Sequence, residues 1–385
     1  MKKTEPVLWG ADRKVCDDAA QYPEYTLGRI LSQEKDLYRM ITAEGECTAK
    51  VSGKFRYQAA YPSDFPAVGD FVMAGKTMEE TRAVIHQVLP RKSVFMRKAA
   101  GSDRKEQLVA TNIDIVFLCM ALNQDFNVRR LERYLSIAWD SGAKPVVVLT
   151  KSDICEDIEE KLLAVQEAAP GVKIIKTTAI KAETSGKTAF EAEVSGTEIS
   201  ETTASKTDGI EEILPYLSTG TTAAFLGSSG VGKSTLVNRL LGEERLATGG
   251  IRNDDKGRHT TTHRELLFLP DGGMVIDTPG MRELGMWDAK SGIDRTFSDI
   301  EELALQCRFR DCTHTVEPGC AVQKALKNGT LSKERMQSYQ KLKTENDYME
   351  HAKSYLEVKE KKFKEIAEYN KNHYKKQRKN GIYSQ

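Results

Sequence analysis

Gly227-Ser228-Ser229-Gly230-Val231-Gly232-Lys233-Ser234 fits G-x-x-x-x-G-K-[ST], directly after an apolar run, Ala223 to Leu226, and directly before a helical pattern, Thr235 to Leu241. A glycine-rich turn between strand and helix lets backbone N–H groups converge on a phosphate chain. Lys233 adds a charge for the terminal phosphates, and the Ser234 hydroxyl can ligate Mg²⁺. The candidate phosphate-binding residues are therefore Gly227, Ser228, Ser229, Gly230, Val231, Gly232, Lys233, Ser234 and Thr235.

Two further segments carry chemistry of the same kind. Asp277-Thr278-Pro279-Gly280 ends the apolar run Met274 to Ile276, so Asp277 can hold the Mg²⁺ shell and the Gly280 amide can sense a γ-phosphate. Gly257-Arg258-His259-Thr260-Thr261-Thr262-His263 is a polar loop between them, whose threonines can complete the Mg²⁺ coordination, with Thr261 favoured. Thr150-Lys151-Ser152-Asp153 follows the apolar run Ala143 to Leu149. An ionised Asp153 can accept from both N1–H and the exocyclic amine of guanine, whereas adenine offers an acceptor at N1 and no amine at C2. That pattern selects GTP over ATP, and Lys151 can lay its aliphatic stem along the purine. Hydrolysis needs a water in line with the γ-phosphorus, and Met281 stands where Ras-like enzymes carry a water-orienting glutamine. His259 is the candidate for that task, with a surface histidine as the other reading, and slow intrinsic turnover is expected.

Cys307-x4-Cys312-x-His314-x5-Cys320 gathers three of seven cysteines and one of six histidines. Four soft or borderline ligands suit a closed tetrahedral structural Zn²⁺ site, with Glu317 a poorer ligand. Arg308 and Arg310 flank the first ligand and would be displayed toward RNA phosphate. Cys16, Cys47, Cys119 and Cys155 are scattered, and packing explains them better.

The elements that must position these residues fall into three regions. From about Tyr25 to Lys98, short runs rich in β-formers (Leu37 to Thr42, Cys47 to Val51, Phe55-Arg56-Tyr57, Asp70 to Met73), broken by Gly and Pro, predict a small β-barrel or sandwich. Lys54, Arg56 and Tyr57 on such strands can stack on and pair with RNA. From Ile113 the pattern becomes near-continuous apolar runs, with Leu131, Leu135 and Ala138 at helical spacing between the first two. This predicts an α/β unit with a mostly parallel sheet, interrupted by a Ser/Thr/Glu/Lys/Ala-rich insertion over Ile180 to Glu201. Beyond Trp287 strands stop, and Leu331 to Tyr374 has helix-forming composition. The expected boundaries are 1–98, 99–290 and 291–385.

With 385 residues, 39% hydrophobic and 29% charged, the chain has the composition of a multidomain globular protein, and its apolar runs fall far short of the ~18 residues of a membrane span. Met1-Lys2-Lys3 has no apolar stretch behind it, so no secretory signal, a cytoplasmic location and reduced thiols are expected, with no membrane partner. A net charge of +1 argues against coating nucleic acid through bulk charge, and DNA is not an expected partner. Residues 351–385 nevertheless carry an excess of six positive charges, so this end can touch phosphate or be a solvated helical tail.

The guanine-reading residues precede the phosphate-binding loop by more than seventy residues, the reverse of the order in ordinary small GTPases. With the N-terminal β region and the Cys/His cluster, this circular permutation resembles the ribosome small subunit-dependent GTPase family, RsgA. The resemblance spans nearly the whole chain. It implies an N-terminal OB-fold, a permuted P-loop GTPase domain, a C-terminal zinc domain, and a monomeric factor that binds the small ribosomal subunit and its rRNA late in maturation. It would be stimulated by the subunit and released on hydrolysis, cycling between GTP and GDP. A nucleotide-binding RNA scaffold with negligible hydrolysis, or an ATP-using P-loop enzyme, are the rival readings. The chain departs from the family pattern twice. Thr150 replaces the usual asparagine, whose amide bonds base and P-loop, which predicts weaker nucleotide binding without a change of base. The insertion leaves two candidates for the last guanine-contacting loop, Thr178-Ala179, favoured by the strand before it, and Thr203-Ala204, favoured by its spacing.

Overall fold

The computed structural model describes residues 5–76, 82–98, 106–178, 209–246, 264–277 and 290–348. A short helix, α1 (Arg13–Ala19), is capped by Asp12, whose side chain accepts from the Val15 amide. Three antiparallel strands follow, β1 (Thr26–Glu34), β2 (Leu37–Thr42) and β3 (Gly45–Val51), then helix α2 (Gly53–Gln58), β4 (Phe71–Lys76) and β5 (Arg82–Val88). The order β1-β2-β3-β5-β4 closes through β1–β4 pairing, with β3 and β5 parallel, which makes a five-stranded barrel of OB type. Its interior is filled by Ile30, Tyr38, Met40, Val72 and Ile85.

The sequence pattern misplaces one element here. Phe55-Arg56-Tyr57, expected as strand, lies in α2, because the Ser52 hydroxyl accepts from the Phe55 amide at 3.0 Å and starts a helix that outweighs the β preference of the aromatics. Lys54, Arg56 and Tyr57 thus stand on a helix, with Tyr57 85% exposed and Arg56 3.2 Å from Asp36.

A two-stranded ribbon, β6 (Val94–Lys98) with β7 (Glu106–Thr111), leads out of the barrel, so the expected boundary at 98/99 falls between its strands. Next come β8 (Ile115–Ala121), α3 (Val128–Ser141), β9 (Lys144–Thr150), α4 (Ile158–Ala168), β10 (Ile174–Lys176), β11 (Thr222–Leu226), α5 (Lys233–Leu241), β12 (Glu265–Phe268) and β13 (Met274–Asp277). The order β10-β9-β8-β11-β13 is parallel throughout, and every residue of β8 and β11 is buried. That double-sided burial is why these segments read as unbroken apolar runs. β12 is antiparallel to β13 and pairs Glu265 with Ser32 of β1, which joins barrel and central sheet at one edge.

Arg29 locks this joint. It is fully buried, donates to the carbonyls of Trp9 (2.7 Å), Gly69 (3.2 Å) and Asn112 (3.2 Å), and lies 4.8 Å from the Phe71 ring centre. Burial lowers its pKa to about 10 against the opposing charges of Asp114 and Asp70, so the guanidinium stays charged at neutral pH.

The third region is helical: α6 (Lys290–Thr296), α7 (Ser298–Ala304), α8 (Ala321–Asn328) and α9 (333–348). It packs on α3. A Cβ at Gly292 of α6 would stand 2.0 Å from the Ser136 carbonyl oxygen, so glycine sets the closest approach, and the Ser136 hydroxyl donates to Thr296 Oγ1 at 3.1 Å. Arg335 of α9 donates to Glu132 of α3 (3.0 Å) and to both carboxylate oxygens of Asp299 (2.7 Å each), and Arg133 makes a bidentate pair with Glu345 (2.6 and 2.7 Å).

Candidate functional site: strand ends, P-loop and Cys/His knuckle

Three parallel strands end at one edge of the sheet: β9 at Thr150, β11 at Leu226 and β13 at Asp277. Ligands of open α/β sheets bind at this carboxyl edge. β8 separates β9 from β11, yet the two motifs touch above it. The Thr150 hydroxyl, 1% exposed, donates to the Val231 carbonyl at 2.6 Å. The bond expected to be lost with the asparagine amide is therefore made on the P-loop side by the hydroxyl.

The loop is shaped by its glycines for two different reasons. A Cβ at Gly227 would meet the Cys119 carbonyl oxygen of β8 at 2.4 Å, so only glycine lets the chain leave the sheet there. Gly230 and Gly232 have φ of 77° and 97° with open space around them, so conformation rather than crowding demands glycine. Lys233 donates from Nζ to the carbonyls of Gly227 (2.8 Å) and Ser228 (2.6 Å), which holds the ammonium over the loop. Beneath it, burial pushes the Cys119 thiol up to about 12, with Lys233 opposing, so this cysteine is a packing residue.

Lys151 takes a left-handed conformation, φ 58°, and the chain then turns through Ser152–Ile154, leaving Asp153 exposed at the edge. Both the amide and the hydroxyl of Ser152 donate to the Thr177 carbonyl (3.4 and 3.3 Å), and Arg239 of α5 donates to the Thr178 carbonyl at 3.0 Å. The chain after β10 is thereby tied to both the Thr150–Asp153 turn and the P-loop helix. Ala179, Thr203, Ala204, His259, Thr261 and Gly280 lie outside the described residues, as do the 180–201 insertion and the basic 351–385 segment.

In the helical region, the donor atoms of Cys307, Cys312, His314 and Cys320 all lie within 4.8 Å of one another. Cys307 Sγ and Cys320 Sγ are 3.8 Å apart, and His314 Nδ1 is 3.6 and 3.5 Å from them. A tetrahedron with metal–sulfur bonds of about 2.3 Å and metal–nitrogen bonds of about 2.0–2.1 Å has edges of about 3.8 and 3.5 Å, so the donor set fits Zn²⁺ with Nδ1 as the histidine ligand. His314 reaches inward from φ 60°, its carbonyl held by the Gln323 side chain at 2.5 Å. Cys320 caps α8 and accepts from the Gln323 amide at 3.4 Å. Glu317 is engaged elsewhere. Its carboxylate accepts from the Thr313 hydroxyl and from the amides of Thr313, Thr315 and Val316, and hydrogen bonding, from Thr313 foremost, pulls its pKa down to about 2. It shapes the knuckle from outside the donor set.

The family model described as RsgA GTPase matches residues 88–191 and 162–287. A small ribosomal subunit biogenesis GTPase RsgA 2 of Lactiplantibacillus plantarum is 49% identical over 343 residues, 89% of each chain. The chain belongs to the RsgA GTPase family. A small ribosomal subunit biogenesis GTPase RsgA of Opitutus terrae is 43% identical over 83% of each chain. Among solved structures, YjeQ from Thermotoga maritima aligns with TM-score 0.56 and 28% identity over 82% of this chain and 96% of that one. YloQ, a circularly permuted GTPase, aligns with TM-score 0.55 and 22% identity over 86% and 96%, a likeness of fold. The RsgA match falls in two segments that overlap at 162–191, a stretch that includes the first part of the 180–201 insertion.

One further side chain at the P-loop belongs to no motif. Asp125, in the loop after β8, accepts a hydrogen bond from the Ser228 hydroxyl of the P-loop. The available signal was its place just beyond an apolar strand, the same edge position that marks Asp153.

Proposed function

We propose that this chain hydrolyses GTP in the biogenesis of the small ribosomal subunit, as its relatives are named for doing. The bond from Thr150 to the Val231 carbonyl carries the nucleotide reading, because it brings the guanine motif against the phosphate loop within one sheet edge. Asp153 accepts from the guanine N1–H and amine, Lys151 and Ser152 flank the base, and the Thr178-Ala179 loop, tied in through Ser152 and Arg239, covers it. The amides of Gly227 to Thr235 cradle the phosphates, with Lys233 on the terminal ones. Ser234 and Asp277 would hold Mg²⁺, which would supply neutralisation of charge on the terminal phosphates. His259 orients water, Thr261 completes the metal shell and Gly280 senses the γ-phosphate.

Cys307, Cys312, His314 and Cys320 hold one structural Zn²⁺, which ties the knuckle that carries the exposed Arg308 and Arg310. With the barrel, this surface faces rRNA, and hydrolysis releases the protein from the subunit. Phosphate release from GTP and from ATP, with and without purified small subunits, tests the reading. Subunit-stimulated release from GTP alone is expected. Release that prefers ATP, or GTP binding with no subunit-dependent release, contradicts it, and His259→Ala should abolish the stimulated component.

A further inference from the structure

The loop between β8 and α3 brings a carboxylate to the P-loop that neither nucleotide motif contains. Asp125 Oδ2 accepts from the Ser228 hydroxyl, and Oδ1 accepts from Arg130 at 2.9 Å. Arg130 lies in the first turn of α3, where its amide donates to the Asn127 cap at 2.9 Å. The carboxylate is thus anchored to a rigid helix on one side and grips the P-loop on the other. Lys151 of the guanine motif is a further positive charge acting on it. Partial burial raises the carboxyl's pKa, but the hydrogen bonds from Ser228 and Arg130 and the charges of Arg130 and Lys151 outweigh this and hold it below the ordinary range.

The P-loop needs such an anchor. Val231 is buried and its carbonyl is held by Thr150, but Ser229 and Gly230 are exposed and Gly230 has no neighbour within 4 Å of a Cβ position, so the stretch between Ser228 and Val231 is not fixed by packing. The Ser228 carbonyl also receives Lys233 Nζ at 2.6 Å, so the residue that Asp125 grips is the one that seats the phosphate-binding ammonium. We propose that Asp125 is a positioning residue of the nucleotide site, holding Ser228 so that the loop's N–H groups and Lys233 are pre-set for phosphate beside Lys151. Pre-setting a loop raises affinity by cutting the ordering cost of binding, and it shows mainly in the dissociation rate.

This inference rests on the GTPase reading, and the test separates the two. Dissociation of a fluorescent GDP analogue from the full-length chain with Mg²⁺ is followed for wild type, Asp125→Asn, Asp125→Ala, Ser228→Ala and the double Asp125→Ala/Ser228→Ala. About tenfold faster release is expected for each alanine variant, of the order of one hydrogen bond to a charged group. Asp125→Asn, whose side-chain oxygen still accepts from Ser228, should release less rapidly than Asp125→Ala. The double variant should be no faster than the faster single, because both substitutions cut one path. A merely structural role would lower the melting temperature and leave release unchanged. Unchanged release in Asp125→Ala, or effects that multiply in the double variant, overturn the proposal. Should Asp125→Ala not fold, Asp125→Asn against Ser228→Ala decides, since a charge-neutral residue that still accepts must stay nearer to wild type. If wild type itself binds no guanine nucleotide, the GTPase reading fails. If wild type binds and the variants match it, only the role of Asp125 fails.

Discussion

At the scale of single residues, the site's departure from its family is a change of tether rather than its loss. The Thr150 hydroxyl bonds the P-loop, so Thr150→Val, which keeps shape and removes the donor, leaves the buried Val231 carbonyl unsatisfied. We expect a loss of about 1–3 kcal/mol, read as weaker GDP binding and a lower denaturation midpoint. Asp125 gives the pH behaviour. A folded-state pKa below the unfolded value contributes stability that is complete above the unfolded pKa, ~3.9, and is lost as pH falls through the folded one. The stability difference between wild type and Asp125→Asn should be flat from about pH 5 to 8 and shrink only below ~3.9. A difference that changes between about pH 6 and 8 would assign the effect to another group. In the knuckle, Glu317→Ala frees three amides and one hydroxyl, and release of Zn²⁺ to a chelator should quicken about tenfold. What could be read at this scale was what is local in the chain: the P-loop and Thr150 to Asp153 each lie within a few residues, and the Cys/His cluster within fourteen. Asp125 was not, because its partner Ser228 is 103 positions away and a lone aspartate after a strand has no distinguishing spacing.

Among elements, α3 occupies the pivotal place. Its first turn holds Asp125 through Arg130, while its buried face takes Glu132 and Ser136 to the helical region. Arg335→Met would leave the fully buried Glu132 with Arg129 as its one cationic partner among the described residues, and would remove the Arg335 bonds to Asp299. Breaking a buried pair from one side costs about 3–5 kcal/mol, so urea denaturation should show a marked loss, and the double Arg335→Met/Glu132→Leu should recover part of it. The parallel strands and α3 were legible because burial on both faces leaves an unbroken apolar run and burial on one face leaves a 3.6-residue period. α2 was misread because composition hides a cap: Ser52 decides the conformation of Phe55 to Tyr57. The pairing of β12 with β1 had no sequence signal, since a single Ser32–Glu265 register pair depends on how two separately folded sheets meet.

For the whole molecule, the barrel and the central sheet are joined by a cation held on carbonyls. Arg29→Met would strand the carbonyls of Trp9 and Asn112 and leave that of Gly69 with the Asn112 side-chain amide, at a cost of about 2 kcal/mol, and loosen the barrel against β13. Limited proteolysis should then cut between barrel and sheet before either unfolds. α6 and α9 pack on α3, so the helical region is seated on the helix that also anchors Asp125 beside the P-loop. Central to the proposed activity is one convergence: Asp153, in the turn after β9, and Lys233, at the start of α5 after β11, would address the two ends of a single guanine nucleotide across β8. Equilibrium binding of GDP and of xanthosine diphosphate to wild type and to Asp153→Asn tests it most directly, because xanthine carries a carbonyl where guanine has its amine and an asparagine amide can donate to it. We predict that wild type prefers GDP, that Asp153→Asn prefers the xanthosine nucleotide, and that Lys233→Ala weakens both. GDP binding unaffected by Asp153→Asn would contradict the account.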